Sequence, residues 1–536
     1  MQITLRDYQE QARASAHEQW RTHRSTMIVM ATGLGKTTTF AHLVLDFQPK
    51  RSMVIAHRKE LIDQAVLEIE GSVGLKCGVE MAQCFAEEDL WHRMPVVVGT
   101  VQTLTKRMTR FRPQDFGLLI VDEMHHGTAK TYRKVLDYFS TNPDLKILGV
   151  TATPERADEE ALSQVCESVA FQYGIQEAVR DGWLVDVTAQ FAHIGRLDLS
   201  NVHTTAGDLN QGELAKIMEA DEVVMGVAQP IIEVTFGLPP KTLSTMPIAA
   251  WKNYLAELPQ KPRRGIAFTV SVKQAEALAA ILNLAVPELC EWVCGKTDPE
   301  IRSDILKRFQ QGKTAIVANC GVLTEGYNNP GVETIFMARP TKSRSLYIQM
   351  VGRSTRPLPG IVHGLAGPDE RKAAIASSPK PYCRIIDTCG NSGRHKLISA
   401  FDVLGGHVSD DVVEKAIRQA KKDGKPVKVV ANLTNTDQKV KQEAKEAAQK
   451  RAIARVDYSM RDVDIFGSNG GAHWQRNHRG PSASPKQIAV LGRAGVHPYW
   501  WKKKNYGWIR QKLAANNWRL PADMEFLKQP KHSKTA

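Results

Sequence analysis

Short continuous apolar runs alternate with stretches of helical periodicity twice along this chain of 536 residues. The first set of runs is "STMIVM" (25–30), "SMVIAH" (52–57), "PVVVGT" (95–100), "FGLLIVDE" (116–123) and "LKILGVTAT" (145–153). The second is "RGIAFTV" (264–270), "CEWVCG" (290–295), "TAIVAN" (314–319), "VETIFMAR" (332–339) and "YCRIID" (382–387). Unbroken apolar strands separated by helices predict parallel sheets covered on both faces. The expected fold is therefore α/β, with two tandem parallel-sheet domains at 1–190 and 262–405. Residues 191–261 read as a Pro-rich connection with helical pieces, and 406–465 as a charged helical extension. A Gly/Ser/Pro-rich linker is expected at 466–485, and a small basic, aromatic helical module at 486–536.

The first run leads into "MATGLGKT" (30–37). A phosphate loop of the form G-x-x-x-x-G-K-[ST] has Gly at its first position, where this chain has Met30. That position lies on the strand side of the turn and is the least demanding. Gly33 and Gly35 allow a sharp turn in which successive N–H groups converge on one anion. "TTTFAHLVLDF" then has apolar residues at helical spacing, so a helix would start beneath the phosphates with its positive end toward them. Thr32, Gly33, Leu34, Gly35, Lys36 and Thr37 are the nucleotide-binding candidates. Lys36 would reach the β- and γ-phosphates of ATP, and the Thr37 hydroxyl would ligate Mg2+.

Other candidates also fall at strand ends, the edge where open α/β sheets bind ligands. "LLIVDEMHH" ends a buried run with two adjacent carboxylates. Asp122 would hold Mg2+, and Glu123 would orient or deprotonate the attacking water. Thr151 and Thr153 of "GVTATPERAD" supply hydroxyls at the same edge. His57 and Arg58 of "AHRKEL", and Thr100, Gln102 and Thr103 of "GTVQTL", offer groups suited to strand phosphates. In the second domain, "QMVGRSTR" presents Gln349, Arg353 and Arg356, and planar guanidiniums suit a developing phosphoryl charge. Thr324 and Gly326 of "LTEGYNNPGV" lie at a strand-to-turn transition.

Charge changes the picture at the C-terminus. With Lys and Arg counted against Asp and Glu, residues 411–536 carry +15 of a net +14, which leaves −1 for the first 410. Nucleic acid is the natural partner of such an appendage. "HPYWWKKKNYGWIRQKL" interleaves Trp501 with Lys502, Lys503 and Lys504, groups that stack on bases and hold phosphates. No apolar run approaches the ~18 residues of a membrane span, and the N-terminus lacks a signal-peptide pattern, so a cytoplasmic protein is expected. Eight scattered cysteines contain no C-x-x-C pair. Cys290 and Cys294 are expected to be core thiols rather than zinc ligands.

Taken together, these segments resemble helicase superfamily 2, the DEAD/DEAH-like group. The resemblance covers about residues 1–405, with the motifs in the family's order. "MATGLGKT" resembles motif I, "AHRKEL" Ia, "VQTL" Ib, "DEMH" II and "TAT" III. "IAFTVSVKQAEAL", which contains Ser271, resembles IV; "LTEGYNNPGV" resembles V and "QMVGRSTR" VI. "LRDYQ" is similar to an upstream glutamine motif, in which Gln9 would read the adenine edge. The resemblance implies two RecA-like domains with ATP and Mg2+ between them, Lys36 and Glu123 on one wall, and Arg353 and Arg356 on the other. Motif II reads Asp-Glu-Met-His rather than Asp-Glu-Ala-Asp or Asp-Glu-Ala-His, and Met124 faces the chemistry less than Asp122 and Glu123 do. The wording of motifs Ia and VI is more similar to DNA helicases and ResIII-type restriction motors than to RNA DEAD-box proteins. The expected activity is an ATP-dependent DNA helicase or translocase acting on branched or forked DNA. The alternatives are an RNA helicase of the same fold, or the motor subunit of a restriction or defence complex with protein partners.

Overall fold

The computed structural model describes residues 4–442 except 88–92, 128, 153–164, 195–196, 206, 260, 325, 389–409, 424–426, 430–431 and 441. Seven parallel strands form the first sheet: β1 (Ser25–Met30), β2 (Arg51–Ala56), β3 (Cys77–Glu80), β4 (Val96–Thr100), β5 (Phe116–Asp122), β6 (Lys146–Thr151) and β7 (Ser168–Tyr173). Their order is β3-β4-β2-β5-β6-β1-β7. Side chains alternate between two cores, as a strand's two-residue period requires. Ile28, Val54 and Ile120 enter one core, and Val29, Ile55 and Val121 the other. Burial on both faces is why these strands read as continuous apolar runs.

The second sheet contains β8 (Asp186–Phe191), β11 (Gly265–Thr269), β12 (Cys290–Cys294), β13 (Ile316–Cys320), β14 (Thr334–Ala338), β15 (Tyr382–Asp387) and β16 (Val427–Lys428). A separate hairpin pairs β9 (Thr204–Thr205) with β10 (Asp208–Leu209). The second sheet runs β12-β13-β11-β14-β15-β8-β16, parallel except for the antiparallel β16 against β8. The expected α/β class with two parallel-dominated sheets is observed.

Two expectations about organisation are corrected. The chain crosses to the second sheet earlier than residue 190, because β8 pairs with β15 in the register Val187↔Cys383. Residues 191–261 are also more than a connection. Helices Gln211–Met218, Asp221–Thr235 and Ile248–Ala256 share one core with helix Val272–Ala285 and with Ile316, Phe336 and Ile386 of the second sheet. The physical reason is coverage: an apolar sheet face must be buried, and these helices bury it. Cys290 and Cys294 are buried free thiols four residues apart on one strand. That spacing is about 13 Å, too far for a shared zinc ion. The expected 466–485 linker and 486–536 module, with Trp501, Lys502, Lys503 and Lys504, lie outside the described residues.

Glu233 anchors the helical layer. Its carboxylate is 4% exposed and accepts hydrogen bonds from the Lys241 and Leu243 backbone N–H groups at 3.0 and 2.9 Å and from Gln229 Nε2 at 3.1 Å. Glu233→Ala would leave those donors unpaired next to Leu243, itself fully buried. A loss of about 2–4 kcal/mol in unfolding free energy is expected by denaturant titration.

Candidate active site

β1 ends at Met30, which is fully buried as a strand residue, so the missing first glycine lies outside the turn. The turn uses left-handed backbone at Gly33 (φ 97°) and Gly35 (φ 73°), and helix Lys36–Asp46 starts immediately after it. A Cβ on Gly33 would lie 2.9 Å from Arg356 Cγ, and one on Gly35 would lie 2.4 Å from Gln9 Nε2. The positive φ at both positions favours glycine.

Gln9 supports this loop from behind. Its Nε2 donates to the Leu34 and Gly35 carbonyls at 3.0 and 3.3 Å, while Oε1 accepts from the Arg6 backbone N–H at 2.9 Å. Gln9 also lines the cleft formed by Lys36 and Glu123, and its amide is engaged by the loop carbonyls. The Tyr8 hydroxyl also donates to the Leu34 carbonyl, at 2.9 Å.

Asp122 closes β5 and Glu123 follows it, at 7% and 6% exposure. Glu123 adopts φ 53°, a left-handed conformation that costs a non-glycine residue about 1–3 kcal/mol. Two contacts hold it there. The Glu123 N–H donates to Asp122 Oδ1 at 3.0 Å, and Met124 is fully buried against Gly149 of β6. Lys36 Nζ lies 3.6 Å from Glu123 Oε1, and His125 Nδ1 lies 3.4 Å from Oε2. His125 Nδ1 is also 3.3 Å from the Thr151 hydroxyl. The acidic pair is thus linked to the end of β6; Thr153 lies outside the described residues.

The opposite wall comes from the second domain. Gly352, just past helix Arg344–Val351, fits so closely that an added Cβ would lie 2.5 Å from Thr32 Cβ. Arg356 crosses over Gly33, and its guanidinium donates to Asn328 Oδ1. Burial lowers its pKa to about 10, against the attraction of Glu68, so it stays charged at neutral pH. Lys36, Thr37, Asp122, Glu123, Arg353 and Arg356 all line one cleft of about 740 Å³. That volume is ordinary for a cofactor-sized ligand.

The two arginines differ in engagement. Arg353 donates Nε and Nη2 to the Thr324 carbonyl at 3.2 and 2.6 Å, and Nη1 to the Tyr327 carbonyl at 2.8 Å. Its guanidinium therefore braces the 324–327 turn while Arg353 also lines the cleft. Gln349 is 4% exposed on its helix and does not line the cleft. Gly326 (φ 71°) faces Glu60, at 2.8 Å from a built Cβ to Glu60 Cβ.

The remaining candidates lie along the sheet edges. Arg58 Nη1 reaches the Gly321 carbonyl at 3.3 Å, joining the segment that contains His57 to the second domain. The Thr100 hydroxyl donates to Thr103 Oγ1 at 3.0 Å, and Gln102 is exposed beside them. Ser271 caps helix Val272–Ala285 and donates to Glu219 Oε1 at 2.6 Å.

Two groups carried no local signal in the sequence. Trp183 is covered by guanidiniums from both domains: Arg6 lies 4.7 Å and Arg371 3.8 Å from the ring. Lys380 is 2% exposed, and its Nζ donates at 2.7 Å to the carbonyls of both Pro330 and Arg356. It therefore holds the backbone of Arg356 and the turn carrying Asn328 at once. Burial lowers the Lys380 pKa from 10.5 to about 8. Between those values the unfolded chain binds more protons, so this group's contribution to stability rises with pH. The difference in unfolding free energy between wild type and Lys380→Met is expected to climb across that window, and a flat difference would contradict this placement.

Known proteins share this organisation. Residues 2–156 match the family described as "Type III restriction enzyme, res subunit", and residues 248–357 match "Helicase conserved C-terminal domain". The chain is 29% identical to the "Putative ATP-dependent helicase IRC3" of Saccharomyces cerevisiae, over 96% of this chain and 71% of that protein. It is 25% identical to the "Type I restriction enzyme EcoKI endonuclease subunit" of Escherichia coli, over 67% of this chain and 34% of the subunit. Among solved structures, a fragment of a putative HsdR subunit of a type I restriction enzyme from Vibrio vulnificus shares the fold. Its TM-score is 0.50 at 20% identity, over 72% of this chain and 64% of that one. These matches support a superfamily 2 helicase, an NTP-hydrolysing enzyme with two RecA-like sheets. Similarity to ATP-dependent helicases implies ATP use. No helix among the described residues is long and apolar enough to cross a membrane.

Proposed function

We propose that this chain is an ATP-driven DNA motor that moves on or remodels branched or forked DNA. One observation carries the reading: Lys36 and Glu123 from one domain and Arg356 from the other line a single cleft. Lys36 binds the β- and γ-phosphates, the loop N–H groups cradle them, and Glu123 takes the proton of the attacking water. Arg356 neutralises charge on the transferring phosphoryl group, while Arg353 and Lys380 fix the turn and backbone that position it. Thr37 and Asp122 line the same cleft and fit Mg2+, which draws most of its ligands from substrate phosphates and water. When bound, the ion supplies charge neutralisation at those oxygens. Because the two walls belong to different domains, nucleotide state sets their separation. Arg58 on Gly321 and Glu60 against Gly326 pass that change to the edges that hold the strand.

DNA is favoured over RNA by the wording of motifs Ia and VI and by similarity to a restriction-enzyme subunit. That subunit also supports a second reading, a motor within a defence assembly whose partner supplies another activity. A labelled fork with a DNA or an RNA tracking strand, incubated with ATP, separates the readings. Strand separation on the DNA fork supports the first. Separation on RNA alone replaces it with an RNA helicase. ATP hydrolysis without strand separation on either favours the assembly motor.

A further inference from the structure

Phe85 stands half in solvent, at 50% exposure, at the outer edge of the first sheet. Single exposed apolar side chains are ordinary, but this one sits in a built array. β3 and β4 end side by side in the register Glu80↔Gly99. The chain then makes a tight turn closed by a Met81–Cys84 bridge, with Ala82 at φ 49°. The Ala82 N–H donates to Thr103 Oγ1 at 3.3 Å, which fixes this turn to the start of helix Val101–Arg107.

Beneath the turn, Glu80 is fully buried, and its two oxygens accept from Arg107 Nη1 at 2.8 Å and from the Ala86 N–H at 3.0 Å. Arg107 also donates to the Ala82 and Cys84 carbonyls, at 2.7 and 3.3 Å. These bonds orient the guanidinium, whose carbon lies 4.2 Å from the Phe85 ring centre. Arg110 lies 4.7 Å from the same centre and donates Nη2 to the Glu87 carbonyl at 2.9 Å. Lys106, Arg110 and Arg112, on the same stretch of chain as Arg107, are exposed. An aromatic ring stacked with held guanidiniums inside a basic patch is the chemistry that takes up an unpaired base, because every base has a π face.

We propose that Phe85, with Arg107 and Arg110, is a stacking platform for an unpaired nucleobase of a bound single strand. Lys106 and Arg112 hold the adjoining phosphates. The platform lies just beyond the helix start carrying Thr100, Gln102 and Thr103, so it extends the strand's path to the sheet edge. It rests on the nucleic-acid motor reading, and the test separates the two.

The full chain is titrated into fluorescein-labelled oligo(dT) and oligo(rU), with anisotropy as the readout, for wild type, Phe85→Ala and Phe85→Trp. Thermal unfolding of each is measured alongside. Phe85→Ala is expected to weaken binding about tenfold with an unchanged salt slope, since stacking releases no counterions. Phe85→Trp is expected to restore affinity, with tryptophan emission quenched on binding beyond the wild-type change. The better-bound polymer identifies the strand. Wild-type affinity in Phe85→Ala overturns the platform. Equal weakness in both variants with lowered unfolding midpoints also overturns it and assigns the ring to packing. If wild type binds neither polymer, the motor reading fails and takes the platform with it.

Discussion

Glu123→Gln is expected to lower kcat for ATP hydrolysis by at least about a hundredfold, the usual contribution of a positioned base. ATP should still bind within a few-fold of wild type. Glutamine keeps the size of the side chain, so the left-handed turn at φ 53° and the buried Met124 beneath it are undisturbed. What is lost is the carboxylate 3.6 Å from Lys36 Nζ that can accept a proton. Steady-state turnover and equilibrium binding of a fluorescent ATP analogue check the two halves separately. A variant that hydrolyses ATP within threefold of wild type would remove Glu123 from the chemistry.

The second large effect separates the two arginines. Arg356→Ala is expected to reduce kcat roughly a hundred- to a thousandfold, at or below the low end for arginines that neutralise a transferring phosphoryl group. Little change in stability is expected, because its guanidinium has one side-chain partner, Asn328. Arg353→Ala should reduce kcat and also cost about 1–3 kcal/mol of stability, because the Thr324 and Tyr327 carbonyls lose their donors. Arg353→Lys should not rescue it, since an ammonium cannot reproduce the fixed fork that serves both carbonyls. Denaturant unfolding beside turnover for all three variants tests this; equal stabilities for Arg353→Ala and wild type would contradict the bracing role.

The strands legible in the sequence were those buried on both faces, where no polar position interrupts the run. β5 is buried at all seven positions and was read within one residue of its end. β3, β7 and β8 are not legible in the sequence, because strands such as "SVAFQY" mix exposed and covered positions. The helices of 211–256 were read as a connection because their apolar faces have meaning only against the second sheet. The convergence of Lys36, Thr37, Asp122, Glu123 and Arg356 on one cleft is legible, because phosphate chemistry restricts the residue types found at strand ends. Arg353's carbonyl partners, Gln9's engaged amide, the Arg6–Trp183–Arg371 stack and Lys380 are not. Those are contacts between distant segments, and no local pattern announces them.

Nucleic acid bound to such a motor is expected to control hydrolysis in the cleft between the two domains. ATP turnover by wild type should be measured without polymer and then with single-stranded DNA, forked DNA and RNA. DNA is expected to raise the rate several-fold, with forked DNA the strongest stimulator. A rate indifferent to every polymer would contradict the account.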